Sequence, residues 1–132
     1  MIVLDTHAWI WWISNPEKLG AVASSAIEQA MQENSIFLSS ISTWEIALLV
    51  AKGRLALSIN LRDWVRKIES LPFIRFMPVD NTITLRSVDL PGDFHADPAD
   101  RIIVATALST GLPLVTKDEK IQNCFFVQTI WD

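Results

Sequence analysis

Apolar residues in this chain fall into two kinds of run. Ile2-Val3-Leu4, Ile36-Phe37-Leu38 and Pro113 to Thr116 are short and rich in β-branched residues, which predicts strands buried on both faces. Phe73 to Val79 and Phe125-Phe126-Val127 read as two further strands, the second closing the chain. Between them, apolar residues recur at helical spacing. Leu19 to Asn34 sets Val22, Ala26, Ile27, Ala30 and Met31 against Glu28, Gln29, Gln32 and Glu33. His7 to Ile13 is a short helix, bulky all round and broken at Asn15-Pro16. Ser39 to Ser42 leads into a helix over Trp44 to Lys52 that stops at Gly53. Arg54 to Ile59 is a connector, Leu61 to Ser70 an amphipathic helix with a basic face, and Asn81 to Val88 a short helix. After a loop from Leu90 to Ala96, Asp97 is placed to cap a helix with Pro98 at its first position. The apolar body of that helix, Arg101 to Ser109, ends at Gly111.

Strands alternating with helices predict an α/β fold, one domain over residues 1–132, with a mostly parallel central sheet and helices on both faces. In such sheets ligands sit beyond the carboxyl ends of the strands. Two strands deliver an acid there, Asp5 after Leu4 and Asp118 after the strand ending at Thr116.

Each acid also has a plainer reading. Asp5 and Asp118 are placed to cap the helices or turns that follow them. Ser42-Thr43-Trp44-Glu45 fits a capping box in which Glu45 bonds back to the Ser42 backbone, yet a carboxylate between Trp44 and Ile46 is also expected to be half-buried and in need of a cation or donors. Asp97 is taken as the cap, which leaves Asp100, in the first turn, free to project toward the sheet's end or to serve only the helix dipole. Arg101 either pairs with an acid or touches a phosphate.

The charge balance bears on these alternatives. The chain has 132 residues, 50% of them hydrophobic and 20% charged, and 11 Lys and Arg against 15 Asp and Glu give a net charge of −4. That sign excludes a broad basic surface for nucleic acid, but not an enzyme whose acids are neutralised locally by metal ions. Gathered carboxylates raise one another's pKa unless a hard cation sits among them, and Mg²⁺ or Mn²⁺ would serve. Metal-assisted hydrolysis of a phosphodiester suits such a set. No Gly-rich phosphate loop, zinc-type Cys/His cluster or Ser–His–Asp set competes with it. The single cysteine, Cys124, has no partner within the chain, and no secretory leader or membrane-spanning run is evident, so a cytoplasmic setting is expected.

At these same residues the chain resembles the PIN-domain family, and within it the VapC-like toxins of type II toxin–antitoxin pairs. The matching pieces are Leu4-Asp5-Thr6-His7, Ser42-Thr43-Trp44-Glu45-Ile46 followed by Gly53-Arg54-Leu55, His95 to Arg101 with its apolar helix, and Leu114-Val115-Thr116-Lys117-Asp118, in the family's order. The resemblance implies a three-layer α/β/α sandwich and a Mg²⁺- or Mn²⁺-dependent endoribonuclease that uses one or two ions. It further implies that water attacks in line to leave a 5′-phosphate and a 3′-hydroxyl. Asp5, Glu45, Asp100 and Asp118 match the family's metal-binding and catalytic acids, and Thr6 and Thr116 match hydroxyl residues that line the pocket. Ala99 stands where relatives often carry an aromatic, and Lys117 beside Asp118 is another departure. The implied partners are RNA, a cognate antitoxin and a second copy of the chain.

The remaining features are less specific. His7 and His95 flank acid positions and are expected to pack or support rather than ligate a hard ion. Trp9, Trp11 and Trp12 cannot all face one sheet from one short helix, so at least one should reach the surface, where an antitoxin groove would use it. Lys52 and Arg54, with Arg101 and Lys117, are candidate RNA contacts. Arg62, Arg66 and Lys67 either extend that rim or form a solvated helix face. The competing functions are a PIN-type nuclease that is not a toxin, a metal-dependent phosphatase with Asp5 as nucleophile, and a binding-only subunit. A haloacid-dehalogenase-like site would need an acid where His7 stands.

Overall fold

The structure, a computed structural model, describes residues 1–92, 94 and 97–132. Strands β1 (Ile2–Leu4), β2 (Ile36–Ser39), β3 (Ile74–Met77), β4 (Leu114–Val115) and β5 (Thr129–Ile130) form one sheet in the order β3-β2-β1-β4-β5. All four pairings are parallel. The helices are α1 (Thr6–Ser14), α2 (Ala21–Gln32), α3 (Ser40–Ala51), α4 (Leu61–Glu69), α5 (Asn81–Val88), α6 (Pro98–Thr110) and α7 (Glu119–Gln122), with a 3-10 turn at Pro16–Lys18.

Alternation along each strand divides the interior into two cores. Ile2 and Leu4 of β1, Ile36 and Leu38 of β2 and Val115 of β4 pack on one face with Trp9, Ala23, Ile27, Ile46 and Ile68 from α1 to α4. Val3, Phe37 and Leu114 point the other way, against Ile103, Val104 and Ala107 of α6 and Ile121 of α7. The central strands therefore need apolar residues at every position, which is why they read as unbroken runs. Edge strand β3 needs fewer, and its Arg75 is exposed.

Two boundaries differ from the sequence reading. Helix α3 starts at Ser40, with Ser39 as its cap accepting from the Ile41 N–H at 3.2 Å, so Ser42 lies inside the helix and the Ser42–Glu45 capping box does not form. The last strand is Thr129–Ile130, paired with Leu114–Val115, and not Phe125 to Val127. That triplet is a turn between α7 and β5. Its Phe125 is 89% exposed, Phe126 sets its ring edge against Phe94, and Val127 alone enters the core. An apolar triplet can thus look like a strand while each residue faces a different environment.

Helix α1 shows how its three tryptophans divide. Trp9 is fully buried, stacked on Trp64 at 5.3 Å and meeting the edge of Phe76 at 5.8 Å, while Trp11 and Trp12 are half-buried. The Trp9 Nε1 has no hydrogen-bond partner among the described residues. Trp9→Ala should destabilise the protein by about 3–5 kcal/mol in urea unfolding, the usual range for a large aromatic lost from a core. Trp9→Phe should cost distinctly less, because it removes an unpaired N–H with the lost volume. Equal losses in the two variants would contradict the packing described.

Candidate active site

The sheet order places β1 next to β4, the point at which the chain reverses its direction of winding, and acids follow both strands. The Asp5 N–H continues the ladder to the Val115 carbonyl at 3.1 Å, so the first residue past β1 is still fixed by β4. The Asp5 carboxylate caps α1, accepting from the Ala8 N–H at 2.8 Å. It also takes a hydrogen bond from Thr116. The Thr116 hydroxyl oxygen accepts from the Asp118 N–H at 3.0 Å, which leaves its own hydrogen for Asp5. One buried threonine thus couples the ends of the two strands. Asp118 in turn caps α7 through the Ile121 N–H at 3.1 Å.

Glu45 is held from the opposite side. Its Oε1 lies 2.5 Å from the Thr6 hydroxyl, which is also 2.9 Å from the buried Ser42 hydroxyl. Thr6 is the first residue of α1, while Ser42 precedes Glu45 by one turn on the same face of α3. The contact therefore ties two helices together beside the acid. Asp97 caps α6, accepting from the Asp100 N–H at 3.0 Å, and Pro98 occupies the first helical position as the sequence predicts.

These pieces meet. A cavity of about 420 Å³ is lined by Asp5, His7, Trp11, Glu45, Asp97, Asp100, Lys117 and Asp118. All four acids singled out in the sequence face it, and Asp97, read there only as a cap, faces it too. An adjoining depression of about 390 Å³ carries Thr6, Lys52 and Arg54 and shares His7, Glu45 and Asp97. The glycine after α3, Gly53, has φ +70°, and the turn it allows brings Arg54 back to bond the Leu49 carbonyl. Arg62 and Arg66 line a different hollow, between α3 and α4. Arg101 gives its guanidinium to the carbonyls of Ser87, Val88 and Phe94, which ties α6 to the end of α5 and the segment after it. The expectation for His95 lies outside the described residues.

Electrostatics records the crowding. Asp100 is pushed up to about 7 by burial and then by Asp97, Asp118, Glu45 and Asp5. Burial also raises Asp5, against the hydrogen bonds from Thr116 and Ala8, and raises Glu45, against the bond from Thr6. Among the described residues no three His, Cys, Asp or Glu side chains form a group that could hold a metal ion as they stand.

A family profile described as "PIN domain" matches residues 2–124. The chain belongs to the PIN domain family. It is 34% identical over 122 residues to Ribonuclease VapC22 of Mycobacterium tuberculosis, covering 92% of this chain and 90% of that protein. Solved PIN-like structures share the fold at lower identity. A chain of VapBC2 from Rickettsia felis, bound to a DNA fragment from its promoter, superposes with a TM-score of 0.73 at 19% identity, with all of both chains covered. One of FitAcB from Neisseria gonorrhoeae gives 0.70 at 21%, covering 98% of this chain and 96% of that one.

Sequence reasoning missed Ser42, assigned to a cap, and Lys18, whose ammonium lies 5.8 Å over the Trp11 ring. Ser42 left one faint signal, a hydroxyl one turn before Glu45 on an otherwise apolar helix. The raised acids of this PIN domain predict its stability against pH. Between about pH 4 and 7 the folded state binds more protons than the unfolded one, so metal-free stability falls as pH rises through that window. In EDTA the melting temperature should drop from pH 5 to pH 8. Asp100→Asn should raise it at pH 8 by about 2–5 °C, the scale of about 1 kcal/mol in a domain of this size. A melting temperature that rose with pH would contradict the repulsion.

Proposed function

We propose that this chain is a metal-dependent endoribonuclease acting as the toxin of a toxin–antitoxin pair, with Asp5, Glu45, Asp100 and Asp118 as its catalytic and metal-binding set. The observation that carries the reading is the single cavity onto which four distant segments deliver acids, with Asp100 raised by burial and then by its acidic neighbours. The resemblance to Ribonuclease VapC22 over most of both chains supports RNA as the substrate. The donor set fits a hard divalent ion: every acid offers carboxylate oxygen, and their mutual repulsion is what Mg²⁺ or Mn²⁺ would relieve. Such an ion supplies Lewis acidity at the phosphodiester and a more acidic bound water.

The residues of the chain do the rest. Thr116 and the Ala8 N–H hold the Asp5 carboxylate in place at the cavity wall. Thr6 does the same for Glu45. Asp97 positions the first turn of α6 and with it Asp100. Lys52, Arg54 and Lys117 supply positive charge around an acidic centre, where an RNA backbone needs it. A protein partner and a second copy of the chain fit the exposed apolar residues: Leu85 and Val88, one turn apart on α5, are 66% and 70% exposed. Among the described residues no helix is long and apolar enough to cross a membrane.

Asp5→Asn and Asp100→Asn test the assignment. Asparagine preserves size and also caps a helix, so both variants should fold. Each should lower Mn²⁺-dependent, EDTA-sensitive cleavage of single-stranded RNA by more than about 100-fold, the upper range already seen when a supporting residue of a metal site is lost. Cleavage retained by both variants would overturn the site. Absence of cleavage by the unaltered chain with Mn²⁺ or Mg²⁺ would overturn the activity.

A further inference from the structure

One side of the acidic cavity is built from rings and cations that neither catalysis nor metal binding uses. His7 and Trp11 stand one turn apart on α1, and both line the cavity, their ring centroids 5.6 Å apart. Trp11 is only half-buried and His7 is exposed. Two lysines converge on the same indole, Lys117 from the end of β4 at 5.4 Å and Lys18 from the turn after α1 at 5.8 Å from its centroid, and both are exposed.

The ring is backed by a fixed neighbour. Trp131 lies 5.8 Å from Trp11, and its carbonyl is bound by the Ala23 N–H at 2.8 Å. That approach requires glycine at position 20, where a Cβ would collide with the Trp131 carbonyl and the Asp132 carboxylate. The platform is thus pre-organised: the C-terminal segment is seated against α2 and carries the tryptophan that supports Trp11.

We propose that His7, Trp11, Lys18 and Lys117 form a nucleotide subsite for single-stranded RNA, in which a base next to the scissile phosphate packs on the half-buried Trp11 ring, with the His7 ring tilted by 54° at its side, and the two lysines turn outward to bind flanking phosphates. The inference rests on the ribonuclease reading and extends it. Stacking on an aromatic face needs an unpaired base, so the subsite selects single strands over duplex. In a chain of net charge −4, two ammonium groups beside an acidic cavity are suited to a polyanion that must pass close to carboxylates. An acidic protein segment would meet the same cations but has no use for the ring pair.

Steady-state cleavage of a fluorogenic single-stranded RNA with Mn²⁺, together with calorimetric Mn²⁺ binding in the absence of RNA, tests the subsite. Trp11→Ala should raise KM about tenfold or more, in the range expected for one lost base stack, with Mn²⁺ affinity retained, and Trp11→Phe should recover most of that loss. Lys18→Glu, at a fully solvated position, should raise KM and flatten the slope of log affinity against log salt by about 0.7 per phosphate contact. Unchanged KM and salt slope in Trp11→Ala and Lys18→Glu, in an enzyme that cleaves, would overturn the subsite and leave the nuclease reading standing. Loss of binding to a co-purified partner protein with RNA affinity unaltered would also overturn it. No cleavage by the unaltered chain would instead remove the reading on which it rests.

Discussion

Like charges confined in a partly dry space govern this architecture. Asp5, Glu45, Asp97, Asp100 and Asp118 face one cavity, and Asp100 is driven to about 7 by burial first and by the other acids second. A fold that gathers acids in this way must hold them apart or bring in positive charge, and the surrounding structure does some of each. Its sheet does the gathering. With β4 beside β1, the residues that follow both strands open into the same crevice, and the helices that follow both strands begin there.

Helix starts supply part of the compensation. Asp5, Asp97 and Asp118 cap α1, α6 and α7, so three helix N-termini meet at the cavity and present N–H groups to the acids that line it. Buried hydroxyls supply another part. Thr116 serves Asp5 and Thr6 serves Glu45, each opposing the rise in pKa that burial produces. These bonds anchor each carboxylate at the wall of the cavity that both residues line. That anchoring makes an anionic cavity compatible with a folded metal-free chain. It also explains why the acids do not collapse onto one another.

This anchoring explains what was legible in the sequence. Capping and function looked like rival explanations of Asp5 and Asp118, yet both residues cap a helix and both line the cavity, so the two readings do not exclude each other. The strands β1, β2 and β4 could be read because a strand covered on both faces must be apolar throughout, and α6 because Asp97, Pro98 and Gly111 mark its ends. Glu45 was harder. Its apparent capping box follows a pattern that is purely local, whereas the chain begins α3 three residues earlier, at the end of β2, and turns Ser42 inward to Thr6, 36 positions away. The false strand at Phe125 to Val127 failed for a related reason: three apolar residues in a row do not reveal that one of them faces solvent. Contacts between distant segments, such as Lys117 over Trp11, have no sequence pattern at all.

Net charge is the property most changed by placement. As a sum, −4 argues against nucleic acid. In space, five of the acids are concentrated in one cavity, while Lys52 and Arg54 line the depression beside it, Lys117 lines the cavity itself and Lys18 lies over its Trp11. A polyanion approaching this surface meets cations first, and carboxylates only where a divalent ion would offset them. Because charges beyond about 10 Å are largely screened at physiological salt, the local arrangement outweighs the total. An acidic protein can in this way present a basic approach to an acidic centre whose carboxylates are held by helix ends and hydroxyls.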